Sequence, residues 1–328
     1  MNTGLKITAF AAAIAATFGT AYGVGTSIDP VVAKKPPSAH DEHAEAGEGP
    51  GAGGETAGGH ESAPAGGLQI SEGGYTLALD TPRVAAGTSS VLSFSVKDES
   101  GRKVTAYQRE HGKELHFIVA SRDLTVYRHL HPTRAADGTW SVRAELPAAG
   151  GYRAFADFKP AKKGATGVTL GADLAVSGKA EPAALPPARA TAEVDGYRVT
   201  LDGALAPGKA NELKLTVAKD GKPVTNLQPY LGAYGHLVAL RAGDLAYLHV
   251  HPNGEPDDGV TEPGPEVSFT ATAPSSGAYR LFLDFQHEGE VRTAAFTVDV
   301  PAGGADANTG AKPSAEPGET EEADGHGH

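Results

Sequence analysis

Cysteine is absent from all 328 residues, methionine occurs once, tryptophan once, and aromatic side chains make up only 6% of the chain. Without thiols there is no disulfide scaffold, no thiolate zinc site and no iron–sulfur cluster, so any metal has to be held by nitrogen or oxygen. The soft sulfur ligands that Cu(I) favours are missing for the same reason. Positive charge is also scarce. The 28 Lys and Arg residues stand against 40 Asp and Glu, and the formal charge of −12 argues against a nucleic-acid partner. Long helices are disfavoured by 43 glycines and 23 prolines, about a fifth of the chain, which fit short strands, turns and linkers instead.

The charge is unevenly placed. Residues 36–67 carry six carboxylates and no base, residues 301–328 carry six carboxylates and Lys312, and residues 68–300 are left with a net −3. The middle is therefore nearly neutral and the ends are acidic, a composition suited to solvation and soft cation attraction. Residues 1–29 hold Lys6 and then an uncharged apolar run, 7–28, which reads as a signal peptide or as a signal anchor long enough to span a bilayer. Either way the bulk of the chain is expected outside the cytoplasm, secreted or anchored to the outer face of the membrane. With no cysteine there is no lipobox. Residues 30–67 and 301–328 lack the large apolar side chains of a core and are expected to be disordered. A Pro/Ala linker at 179–190 divides the rest into blocks 68–178 and 191–300.

The two blocks repeat one another. Each opens with GYxxxLD (Gly74 to Asp80, Gly196 to Asp202) and continues with an alternating strand, 92–96 or 213–217. From Gly101 to Pro132 and from Gly221 to Pro252 they align without a gap at an offset of 120, and ten of those 32 positions are identical. Further strands at 151–158 and 278–285, and at 173–176 and 295–298, complete each block. About seven short alternating segments per block, separated by Gly, Pro and Asp turns, predict an all-β protein: two tandem immunoglobulin- or cupredoxin-like antiparallel β-sandwiches. Trp140 reads as a core residue.

Six of the 13 histidines fall in one duplicated pattern, His-x12-His-x-His: His116, His129, His131 and His236, His249, His251. A hairpin turning on residues 121–124 or 241–244 would set His116 directly opposite His129, and His236 opposite His249. The third histidine, two residues along, then shares their face. Three imidazoles on one patch make a metal site, one per repeat, near the sandwich end where Pro132 or Pro252 stops the strand. A single His-x-His on a strand also fits a wet edge or a Tyr–His packing ladder. Retention of all three histidines in two divergent copies favours the metal. Asp157 and Asp284 occupy matching places and are candidates for a fourth ligand or for a hydrogen bond to an imidazole. Tyr127 and Tyr247 read as packing residues. His111 and His287 have no counterpart and read as incidental, although His287 could enlarge the second site. His40, His43, His60, His326 and His328 lie in the acidic ends, where they could scavenge metal weakly.

Three neutral imidazoles suit Zn(II), Cu(II) or Ni(II), and the Irving–Williams order puts copper slightly ahead of zinc. Tandem sandwiches bearing HLHP and HVHP resemble exported bacterial heavy-metal-handling domains of the CopC-like and YtkA-like kind, and the tails resemble those of exported actinobacterial proteins. The resemblance implies binding, buffering or delivery of a divalent metal at the cell surface, with a membrane metal transporter or another exported carrier as partner. The chain departs from the CopC-like pattern in lacking methionine and an N-terminal histidine ligand. A zinc hydratase or hydrolase is the enzymatic alternative, since three imidazoles and an open position lower the pKa of bound water to about 7. The ligand order is reversed relative to carbonic anhydrases, however, no proton acceptor is legible, and no nucleophile-elbow motif is present. A structural or adhesive module whose histidines pack or sense pH, with no metal, is the third class.

Overall fold

The computed structural model describes residues 65–302, apart from His249 and the side chain of His251. The expected signal or anchor, most of the linker up to 64, the tail from 303 and the five terminal histidines lie outside the described residues, as do the expected ligand His249 and the ligating side chain of His251. Among the described residues no helix is long and apolar enough to cross a membrane.

The described chain is all-β and forms two sandwiches. In the first repeat one sheet runs in the order Ser71–Glu72, Tyr75–Leu79, Ser89–Asp98, Thr139–Glu145, Thr133–Arg134. The facing sheet runs Arg83–Ala85, Val168–Ser177, Gly150–Pro160, Leu115–Ser121, Tyr127–Leu130. The second repeat has a sheet ordered Thr191–Val194, Tyr197–Asp202, Ala210–Lys219, Glu266–Thr272, Val250–Pro252, facing one ordered Tyr247–Leu248, His236–Arg241, Gly277–His287, Glu290–Val300. Alternation makes the cores: Leu92, Phe94 and Val96 point inward from one strand, Leu213, Leu215 and Val217 from its counterpart. Phe94 stacks on Phe117 at 4.2 Å, and Trp140 is 3% exposed in the same core.

The strand Leu115–Ser121 departs from alternation, for every residue in it is buried. Leu115, Phe117 and Val119 belong to the core of their own sandwich, whereas Ile118 and Ala120 belong to a third cluster with Val238, Leu240 and Phe282 of the other repeat. The outer faces of the two histidine-bearing sheets are thus packed on each other. Tyr127 lies flat on Phe282, with centroids 4.0 Å apart and planes 6° from parallel, and Phe155 meets Tyr247 at 5.7 Å. Each large side chain removed from water there contributes about 1.5–3 kcal/mol.

Two expectations are corrected by local geometry. The hairpins pair Ile118 with His129 and Phe117 with Leu130, and Ala239 with Leu248, so their register lies two residues from the expected one. The cause is the turn. Asp123 accepts hydrogen bonds from Ser121 Oγ and from Thr125 N, and Leu124 adopts φ 57°, which moves the loop to 122–125; Leu245 adopts φ 62° in the second hairpin. A slip of two preserves the face, so the histidines remain on one side of the sheet. The end of the expected disordered linker is also ordered. Gly66 O accepts from Tyr247 N at 2.9 Å, Gly67 N donates to Thr169 O at 2.8 Å, and Arg153 clamps the carbonyls of Gly67 and Leu68. Gly67 has φ +72°, and a Cβ there would lie 2.5 Å from the Phe155 ring, so the glycine allows close approach rather than freedom.

Candidate metal centre

The chain changes sheets at the His-x-His-Pro segment: Tyr127–Leu130 pairs with Leu115–Ser121, whereas Thr133–Arg134 pairs with Thr139–Glu145. His131 and Pro132 form the corner between them. His116 is the second residue of the buried strand and His129 lies on the neighbouring one, both with rings beside that of His236 in the other repeat. His116 Nδ1 and His129 Nε2 are 3.1 Å apart, and one nitrogen from each of His116, His129 and His131 can be chosen so that all three lie within 4.8 Å of one another. Two ligands of a tetrahedral ion at 2.0–2.1 Å stand about 3.3 Å apart, so the first pair is already at ligand spacing and His131 has to swing inward to join it.

The second repeat contributes to the same place. The His236 ring lies 5.2 Å from that of His116 and 4.9 Å from that of His129, and the His111 ring lies 5.5 Å from His236. The described rings therefore form one cluster shared across the interface, to which the first repeat gives His111, His116, His129 and His131 and the second gives His236. His111, read from sequence as incidental, belongs to it. His287 does not: its ring nitrogens meet Tyr197 OH at 2.7 Å and Asn226 Oδ1 at 3.0 Å, a satisfied buried network.

The carboxylates serve the interface too. Asp284 pairs in register with His236, but its Oδ2 accepts from His129 Nδ1 of the other repeat at 2.8 Å, with both side chains 2–3% exposed. Its Oδ1 is held by Thr293 Oγ1 at 2.5 Å. Asp157 is held the same way by Thr169 Oγ1 at 2.9 Å and accepts from Tyr247 OH at 3.4 Å. This Asp–Thr pairing recurs in both repeats and has no sequence signature, because the threonines lie on a neighbouring strand at different offsets. Tyr127 OH and His131 Nε2 are buried with no hydrogen-bond partner among the described residues.

Burial disfavours the charged form of His116, His131 and His236. Burial, reinforced by the neighbouring imidazoles, pushes His116 down to about 3. Burial, then His129 and Lys113, pushes His131 down to about 4, and burial among the other rings holds His236 well below the ordinary imidazole value. Burial and Asp284 push Tyr230 up to about 12.

With both rings neutral, the hydrogen-bond chain from Glu110 to Asp284 is one hydrogen short. His116 Nε2 lies 3.2 Å from the Glu110 carbonyl, which can only accept, so that nitrogen carries the hydrogen and Nδ1 of the neutral ring is bare. His129 Nδ1 donates to the Asp284 carboxylate. Three contacts between two oxygens and two imidazoles need three hydrogens, and two neutral rings supply two. Either a further proton sits on His129 Nε2, or a metal ion stands between two lone pairs. Outward N–H groups fixed by a carbonyl and a carboxylate, with the inner nitrogens bare, are the arrangement of metal-ligating histidines.

A family model described as a domain of unknown function, DUF8832, matches the chain twice, over residues 69–170 and 192–302. No curated protein matches it significantly. Similar solved structures include a DUF4426 family protein from Pseudomonas aeruginosa, 8% identical over 34% of this chain and 94% of that one, TM-score 0.25. The adhesin FdeC of Escherichia coli is 14% identical over 70% of this chain and 64% of its own, under two thirds of its length, at TM-score 0.22. Domains 4 and 5 of the S-layer protein SbsC are 15% identical over 71% of this chain and all of theirs, at TM-score 0.21. At these identities and TM-scores the likenesses assign no function.

Proposed function

We propose that this chain, which belongs to the DUF8832 family through both of its repeats, binds a divalent transition metal outside the cytoplasm in the histidine cluster those repeats share. The observation that carries the reading is the pair of facing nitrogens, His116 Nδ1 and His129 Nε2, 3.1 Å apart with their outer nitrogens anchored on Glu110 O and Asp284. His131 and His236 stand beside them as further imidazole ligands. An all-nitrogen set with no sulfur favours Cu(II), then Zn(II). The buried, water-poor surroundings suit holding and releasing an ion, and the role is buffering or delivery to a transporter or another exported carrier.

A second reading, a structural or adhesive sandwich module without metal, is favoured by one observation: a proton on His129 Nε2, balanced by Asp284, satisfies the same chain of contacts. The two readings differ in the occupant of one position. Native mass spectrometry of the chain from residue 30 onward, stripped of metal and titrated separately with Cu(II) and Zn(II), separates them. The expected result is an ion retained by the wild type, held about 10–100-fold more weakly by Asp284→Asn, and lost from a His116→Gln/His129→Gln variant. Retention equal in all three would assign the metal to the terminal histidines, and no retention would leave the structural module.

A further inference from the structure

The cluster is enclosed, with His116 5% exposed and the His129 side chain 3% exposed, so an ion bound there has to pass a mouth. We infer that His111 is the exchange ligand of this site, the imidazole that takes an ion from water at the mouth and passes it to the buried rings. The inference rests on the metal reading of the cluster.

His111 sits on the tight turn Glu110–Lys113, closed by hydrogen bonds in both directions at 2.9 and 3.1 Å, with His111 at φ 50° and Gly112 at φ 74°. Two successive left-handed residues make a type I′ turn. The second repeat builds the same turn at Tyr230–Ala233, with Leu231 at φ 56° and Gly232 at φ 75°. The backbone is therefore dictated by the fold, and the repeats differ in what the turn presents: an imidazole in one, an isobutyl group in the other. The two turns also meet, since a Cβ on Gly232 would lie 3.6 Å from His111 Cα.

The placement suits transfer. His111 is half-buried and lines a cavity of about 40 Å³ with Glu110, Glu114, His116 and His236, room for one water or ion. Its ring is 5.5 Å from His236 and 6.2 Å from His116. The carboxylates at the mouth are already engaged, Glu110 with Lys159 at 3.0 Å and Glu114 with Arg134 at 3.1 Å. His111 makes no hydrogen bond among the described residues, and so offers a ligand nitrogen at the mouth that no other group occupies. The same turn supplies the Glu110 carbonyl that orients His116. An incoming aquo ion exchanges water for His111, then for His236, and then for the facing pair. Release reverses the order, and no step leaves the ion without ligands.

The test is His111→Leu, the side chain that the second repeat carries on the same turn, so the backbone tolerates it. In the chain from residue 30 onward, loading with Cu(II) or Zn(II) and withdrawal by a chelator are followed by stopped flow. The expected result is at least about tenfold slowing of both rates with the equilibrium affinity within about threefold of wild type, the effect of losing a tethered ligand at the mouth. Added imidazole is expected to restore the rates in His111→Ala. Unchanged rates in His111→Leu, with the wild type binding normally, overturn the inference alone. A wild type that retains no ion overturns it together with the metal reading, and a variant that loses affinity without slowing makes His111 an ordinary ligand and also overturns it.

Discussion

At the scale of single residues, the molecule brings imidazoles together where water cannot solvate their charge. In the metal-free protein His116 is held at about 3 and His131 at about 4, below the 6.5 of a free imidazole. As pH falls below 6.5 the unfolded chain takes up protons at these positions and the folded chain does not. The unfolded state then binds more protons, so stability rises with pH in this window: it is complete above 6.5 and drains away between 6.5 and about 3. By pH 5 His116 alone accounts for a loss of up to about 2 kcal/mol. Urea unfolding of the metal-free protein is expected to show a lower midpoint at pH 5 than at pH 7. An unchanged midpoint would mean that the rings are solvated. The residue types of this cluster were legible in sequence, because His-x12-His-x-His occurs twice. The roles of His111 and of the Asp–Thr pairs were not, since both depend on contacts between strands, or between repeats, that no local spacing encodes.

At the scale of elements, strand alternation and turn residues were legible and register was not. Asp123 and the left-handed Leu124 shift the first hairpin by two residues, a choice made by one carboxylate accepting local hydrogen bonds. Because the slip is even, the expected face survived an incorrect pairing. Only the last residues before the first repeat depart from the expected linker, for a related reason: their glycines look flexible, yet Gly66 and Gly67 form a strap bonded to Tyr247 and Thr169. Substitution Gly67→Ala puts a methyl group against the Phe155 ring at φ +72° and is expected to cost about 2 kcal/mol or more, read as a lowered thermal midpoint. A midpoint equal to wild type would show that the strap contributes nothing.

At the scale of the whole molecule, the repeats share a core. The signal for this was present in the uninterrupted apolar runs Phe117–Ala120 and Leu237–Leu240, which mark strands covered on both faces. Alternation elsewhere in the chain made them look like ordinary half-buried strands. Since Tyr127, Phe155, Tyr247 and Phe282 pack between the sandwiches, calorimetry is expected to show one transition for both repeats. Phe282→Ala, which removes the partner stacked on Tyr127, is expected to cost roughly 3–5 kcal/mol and to separate the repeats into two transitions. Two well-resolved transitions in the wild type would contradict a shared core. The interface also explains why Asp284 of one repeat orients His129 of the other: the cluster of described rings lies where the repeats meet. The most direct test of that site is nitrogen-15 NMR of the histidine rings in the metal-free chain, followed through a zinc titration. The account predicts that zinc displaces the hydrogen between His116 Nδ1 and His129 Nε2 and moves both nitrogen signals to coordinated positions, while the His129 Nδ1 hydrogen bonded to Asp284 remains. A hydrogen that persists on His129 Nε2 in excess zinc would contradict it.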